Sequence, residues 1–107
     1  MATLDYQDML LIVQPSLGKK RILIIDRHAP ARDALRATLH SMGFVDVHSA
    51  GDSTEAFRQI HAAHFDIILS DYALDEGRDG QQLLEELRHA HLIQLSTIYI
   101  IISSERG

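Results

Sequence analysis

The sequence predicts a doubly wound α/β domain built on a parallel sheet, and three observations carry that expectation. The β-branched runs within Arg21–Ile25 and Ile67–Asp71 are continuous in their apolar residues, as in strands buried on both faces, where a strand with one wet face would alternate; Thr97–Ser103 is again strongly β-branched. Segments with apolar residues at helical spacing separate them, and strands alternating with helices pair in parallel through right-handed crossovers. Two of the apolar runs are followed by or end in an aspartate, Asp26 and Asp71. In open parallel sheets the carboxyl ends of the strands are where ligands bind, so both acids are candidates for chemistry.

Each element has its own signal. Residues 1–20 read as an appendage: Thr3 caps a short helix through Val13, with Asp5 near its positive end, and Pro15-Ser16-Leu17-Gly18 breaks it. The block Met9–Val13 is apolar all round and is expected to pack on the domain that follows, with a dimer contact as the alternative. The domain itself is expected over 21–107. After the first strand, Pro30 suits the first turn of a helix in which Ala31, Ala34, Leu35, Thr38, Leu39 and Met42 recur, and Gly43 supplies the stop. Phe44–Ala50 reads as a weaker strand near a sheet edge, with Val45, Val47 and Ser49 facing in. Asp52 and Glu55 look like a capping box for a helix burying Ala56, Phe57 and Ile60 and ending near His64. The third strand, Ile67–Asp71, opens onto the acidic loop Tyr72–Gly80; the third helix, Gln81–His89, turns Leu83, Leu84 and Leu87 inward. This order gives the 2-1-3-4 start of a flavodoxin-like sheet, which puts the switch point between strands one and three and brings Asp26 and Asp71 together.

Composition narrows the function classes. The 107 residues suffice for one hydrophobic core, and 46% hydrophobic with 23% charged residues is ordinary for a globular domain. A net charge of −5 lacks the basic footprint of a nucleic-acid binder. The absence of cysteine removes disulfides and thiolate zinc sites. The longest apolar runs are too short to span a bilayer, and Asp5 and Asp8 stand where a signal peptide carries positive charge, so a cytoplasmic location is expected. Asp26-Arg27-His28-Ala29-Pro30 lacks the glycines of a nucleotide-binding loop.

Two carboxylates at neighbouring strand ends, with Asp75, Glu76 and Asp79 close in sequence, are suited to a hard divalent cation such as Mg²⁺. A cation beside a carboxylate prepares it to accept a phosphoryl group, whose negative charge must be neutralised. Ser103, at the end of the next strand, offers a hydroxyl to that group. Each acid of the loop taken singly is better explained as a solvated charge, and His61, His64, His89 and His91 as surface histidines without a third convergent ligand. His28 lies beside the site, with the balance between a bystander and a residue that supports the site's ligands from outside even.

Ile24-Ile25-Asp26-Arg27-His28, the helix to Met42-Gly43-Phe44, Asp66–Leu74, Gly77–Arg88 and Ile102-Ser103-Ser104-Glu105 together resemble the receiver domain of two-component response regulators, from Arg21 to Glu105. The resemblance implies that Asp71 is the phosphoacceptor and Asp26 the first of an acidic pair. It further implies that the Ala73 carbonyl completes an Mg²⁺ site, that Ser103 is the switch hydroxyl, and that the partner is a histidine kinase or phosphotransfer protein. The Gly77–Gly80 loop looks like a variant with one extra residue. Two departures stand out. Arg27 occupies the place of the second acid, removing a metal ligand and putting an always-charged guanidinium near Asp71. The chain stops after strand four and has no lysine beyond Lys20, so the fifth strand with its phosphate-contacting lysine is missing; a fragment or a naturally truncated receiver is expected.

The leading expectation is therefore a signalling receiver, not an enzyme beyond its own phosphorylation and dephosphorylation. The alternative is a degenerate receiver serving as an interaction or dimerisation module. Strand four, as an exposed apolar edge, is expected to join a second copy of the chain. An enzyme on the same fold ranks far behind, for want of a nucleophile-and-base pair.

Overall fold

The computed structural model describes residues 18–75 and 77–103. The expected helix Thr3–Val13, Glu76 and Ser104–Gly107 lie outside them. Four parallel strands, β1 (Arg21–Ile25), β2 (Asp46–Ala50), β3 (Ile67–Asp71) and β4 (Ile98–Ile102), form one sheet in the order β2-β1-β3-β4. The helices α1 (Ala29–Ser41), α2 (Ser53–Ala62) and α3 (Gly80–His89) make the crossovers.

Because side chains alternate along a strand, each central strand feeds two cores. Leu23 and Ile25 of β1 and Ile68 of β3 face α2 and α3, where they pack with Ala56, Ile60, Leu83 and Leu87. Ile22, Ile24 and Leu69 face the other way, onto Leu39 of α1 with Phe44 and Val47. β1 and β3 are thus buried on both sides, which accounts for their uninterrupted apolar runs.

β2 starts at Asp46, two residues later than expected, and the reason is the end of α1. Gly43, at φ 106°, occupies the left-handed position after the helix, and its N–H donates to the His40 carbonyl at 3.1 Å. Phe44 N–H donates to the Leu39 carbonyl at 3.0 Å, and the two side chains share a core. Phe44 is therefore spent on closing the helix. Val45, expected inside, is exposed; Ser49 is half-buried and accepts a hydrogen bond from Arg36 at 3.0 Å. The cap of α2 is half of the expected box: Asp52 accepts from Glu55 N–H at 2.8 Å, but the Glu55 carboxylate goes to Arg58 and Gln59. The complete reciprocal box sits at α3, between Asp79 and Gln82, where the sequence reading assigned Asp79 to a loop.

β4 pairs with β3 alone among the described residues and alternates in exposure. Tyr99 packs against the α2–α3 core, whereas Ile98, Ile100 and Ile102 are 55%, 44% and 40% exposed on the α1 side. No helix among the described residues is long and apolar enough to cross a membrane.

Candidate phosphoacceptor and cation site

Asp26 follows β1 and Asp71 ends β3, and the parallel register Ile25↔Ser70 places them at the same end of adjacent strands. Carboxylate oxygens of Asp26 and Asp71 and a ring nitrogen of His28 all lie within 4.8 Å of one another. Asp71 is only 7% exposed, and no hydrogen bond or ion pair to its carboxylate occurs among the described residues. No fully buried side-chain oxygen lacks a partner among the described residues, so the Asp71 carboxylate keeps an edge in solvent at the strand ends, in a cavity it shares with Asp26. Two carboxylates this close repel each other while both are charged, which favours a positive group between them.

The surroundings of Asp71 are held tightly. A side chain at Gly80 would bring its Cβ within 2.8 Å of the Asp71 carbonyl and 3.0 Å of Ser70 Oγ, so α3 can start this close to β3 only with glycine. Tyr99 donates its hydroxyl to the Gly80 carbonyl at 2.9 Å, tying β4 to the same helix start, and burial pushes its phenol pKa up. Ser70 Oγ donates to the Asp71 carbonyl at 3.0 Å.

The loop acids divide from the strand-end acids. Asp75 accepts from Ser53 Oγ at 2.6 Å and from Ser53 N–H at 3.0 Å, pinning the loop to the first turn of α2. The Ser53 hydroxyl, with help from the backbone and Arg78, holds the Asp75 carboxyl below its usual range. Arg78 bridges Ser53 Oγ at 2.7 Å to Glu86 at 3.2 Å. Asp79 caps α3. Asp75 and Asp79 are thus fasteners of the loop. The Asp75–Ser53–Arg78–Glu86 network was missed from sequence, and only Arg78 flanked by acids hinted at it.

Ala73 faces Asp79 across an isolated antiparallel bridge and lines a groove shared with Arg27 and Asp75. Arg27 is exposed and forms no ion pair with Asp71 among the described residues. Ser103 follows Ile102, the β4 partner of Asp71, and is exposed. His64 pairs with Asp66 at 3.3 Å, and none of His61, His64, His89 and His91 joins a metal-sized cluster among the described residues.

A parallel 2-1-3-4 sheet with acids converging at its switch point defines a flavodoxin-like domain with its ligand site at the strand ends. Residues 22–107 match the response regulator receiver domain, and the chain belongs to that family. It is a receiver in two-component signal transduction, a signalling domain and not a classical enzyme. Solved structures agree on the fold. The chemotaxis response regulator CheY4 of Vibrio cholerae is 24% identical with a TM-score of 0.71, over 82% of this chain and 71% of that one. The Francisella response regulator 1452 receiver domain is 25% identical with a TM-score of 0.70, over 83% and 69%. A CheY-like receiver protein from Methanospirillum hungatei is 25% identical with a TM-score of 0.70, over 82% and 66%.

Proposed function

We propose that Asp71 accepts a phosphoryl group from the phosphohistidine of a histidine kinase or phosphotransfer protein in the cytoplasm. The observation that carries this is a buried carboxylate at the switch point, without a donor among the described residues and within 4.8 Å of a second acid. An Asp71 oxygen attacks phosphorus, an acyl phosphate forms, and the P–N bond breaks so that the imidazole leaves and takes up a proton. Asp26, Asp71 and the Ala73 carbonyl are the groups that would hold Mg²⁺, whose charge would offset that of the phosphoryl group. Ser103, just past the end of the neighbouring strand, would donate to a phosphoryl oxygen and draw the end of β4 toward β3. In this reading the domain promotes its own phosphorylation and dephosphorylation by positioning these groups.

The test is incubation with Mg²⁺ and a small acyl phosphate, followed by intact mass. A single phosphoryl adduct is expected, lost in Asp71→Asn and retained in Asp75→Asn; no adduct at any Mg²⁺ concentration would overturn the reading. The exposed Ile98, Ile100 and Ile102 on an edge strand support pairing with a second copy of the chain through β4. A dimer is expected by light scattering at micromolar concentration and a monomer in Ile100→Lys, whereas a monomeric parent chain sinks the edge contact.

A further inference from the structure

We propose that His28 is a third ligand at this site and turns its preference from Mg²⁺ toward a divalent transition cation of the Zn²⁺ class. The inference rests on the reading that Asp26 and Asp71 hold a cation. The turn after β1 folds back on itself: His28 N–H donates to Asp26 Oδ1 at 2.8 Å, and the ring Nδ1 comes to 3.5 Å from the same oxygen. The imidazole thereby lies beside the Asp26 carboxylate, with its side chain 64% exposed.

The second observation is independent of that turn. Asp71 is more than nine-tenths buried, has no donor among the described residues, and offers an oxygen within 4.8 Å of both the Asp26 oxygen and the His28 nitrogen. Adjacent ligand atoms around a cation with bonds of about 2.0–2.1 Å sit roughly 3 Å apart, so the three donors need to close by about 1–2 Å. Rotation of the exposed ring would close the two gaps to its nitrogen, and small turns of the carboxylates would close the gap between Asp26 and Asp71.

Ligand chemistry then decides the cation. Mg²⁺ takes oxygen donors and gives up water reluctantly, whereas imidazole suits zinc, nickel, copper and iron. Arg27, in the turn between Asp26 and His28, offers no donor to a metal, so the only further cluster donor from this turn is a nitrogen. The guanidinium of Arg32, whose Nη1 donates to the Asp26 carbonyl at 2.6 Å, adds positive charge nearby. That charge repels every divalent cation alike and leaves the choice among them to the donors. Two carboxylates and one imidazole leave coordination positions for water or a phosphoryl oxygen.

The test is isothermal titration of the whole chain with Zn²⁺ and, separately, with Mg²⁺. Zn²⁺ is expected to bind more tightly than Mg²⁺. His28→Ala is expected to weaken Zn²⁺ by at least about tenfold while Mg²⁺ stays within about twofold, since a lost ligand costs no less than a lost supporting contact. His64→Ala, a surface imidazole control, leaves the Zn²⁺ event in place. Unchanged Zn²⁺ affinity in His28→Ala, or loss of the event in His64→Ala, overturns the assignment. Asp71→Asn separates the two levels: if it weakens Mg²⁺ while His28→Ala changes nothing, only the role of His28 fails. If Asp71→Asn alters neither cation, the cation site itself fails.

Discussion

The two faces of the sheet are finished to different degrees. On the face covered by α2 and α3, Leu23, Ile25, Ile68, Leu83 and Leu87 are fully buried. On the face covered by α1, the same two central strands bury Ile22, Ile24 and Leu69, but β4 leaves three isoleucines in solvent. Asp71 belongs to the second face, since it lies in register with Ile102 and shares a cavity with Ile24, Leu35 and Leu69. Packing is closed on one side, and Asp71 lies on the other. That division suits a switch, because the end of β4 can move relative to β3 with little loss of core.

Truncations on the two faces should differ most. Leu83→Ala or Ile68→Ala removes a fully buried side chain and should cost about 2–5 kcal/mol in urea unfolding. With β4 paired to a second copy, Ile98→Ala and Ile100→Ala should cost less than this but more than the roughly 0.5 kcal/mol of an ordinary surface change, and the cost should depend on protein concentration. A cost within about 0.5 kcal/mol at every concentration would mean that the stripe lies in solvent and no dimer forms through it. Next in size is Gly80→Ala. Its methyl would meet the Asp71 carbonyl at 2.8 Å, so a loss of about 1–3 kcal/mol is expected, with slower phosphorylation of Asp71 as α3 backs away from β3.

The Asp75 fastener gives a smaller, pH-dependent effect. Its carboxyl titrates below the ordinary range in the folded chain, chiefly because Ser53 donates to the ionised form. A depressed folded pKa contributes stability that is complete above the unfolded value near about 4 and is lost as pH falls through the folded one. Asp75→Asn should therefore cost about 1 kcal/mol at neutral pH, the usual worth of a cap on a first-turn N–H. The gap between parent and variant should close as the solution is acidified, read from urea midpoints at stepped pH. A gap that widens in acid would contradict the role of Ser53.

What the sequence disclosed follows the same division. The buried runs of β1 and β3, the leucines of α3 and the meeting of Asp26 with Asp71 were all legible, because period and chain order report burial on two faces. The end of β2 was less so. Val45 and Phe44 both read as strand, and only the hydrogen bond from Phe44 to the end of α1 shows that one closes a helix and the other is exposed. The polar fasteners were opaque for another reason. Asp75 and Ser53 are 22 residues apart, and a carboxylate in an acidic loop looks the same in sequence whether it meets water or a distant helix terminus. His28 fell between these cases. It was adjacent to the acids, but its direction depends on a backbone turn that composition does not specify.

The smallest expected effect contrasts the ends of two helices, one on each face. α1 and α3 close identically: Gly43 and Phe44 N–H donate to the His40 and Leu39 carbonyls at 3.1 and 3.0 Å, and His91 and Leu92 N–H to the Arg88 and Leu87 carbonyls, both at 3.0 Å. In both, a large apolar residue, Phe44 or Leu92, follows and packs on the core. The difference is the residue that must adopt positive φ, Gly43 at 106° on the open face and His91 at 57° on the closed one. An L side chain in that region crowds its own carbonyl, whereas glycine does not. His91→Gly should therefore raise stability by about 0.5 kcal/mol despite the extra freedom glycine gives the unfolded chain, and Gly43→Ala should lower it by about 1 kcal/mol. Equal and opposite midpoint shifts are not expected, because φ 106° lies farther from what alanine tolerates than φ 57° lies from what histidine tolerates.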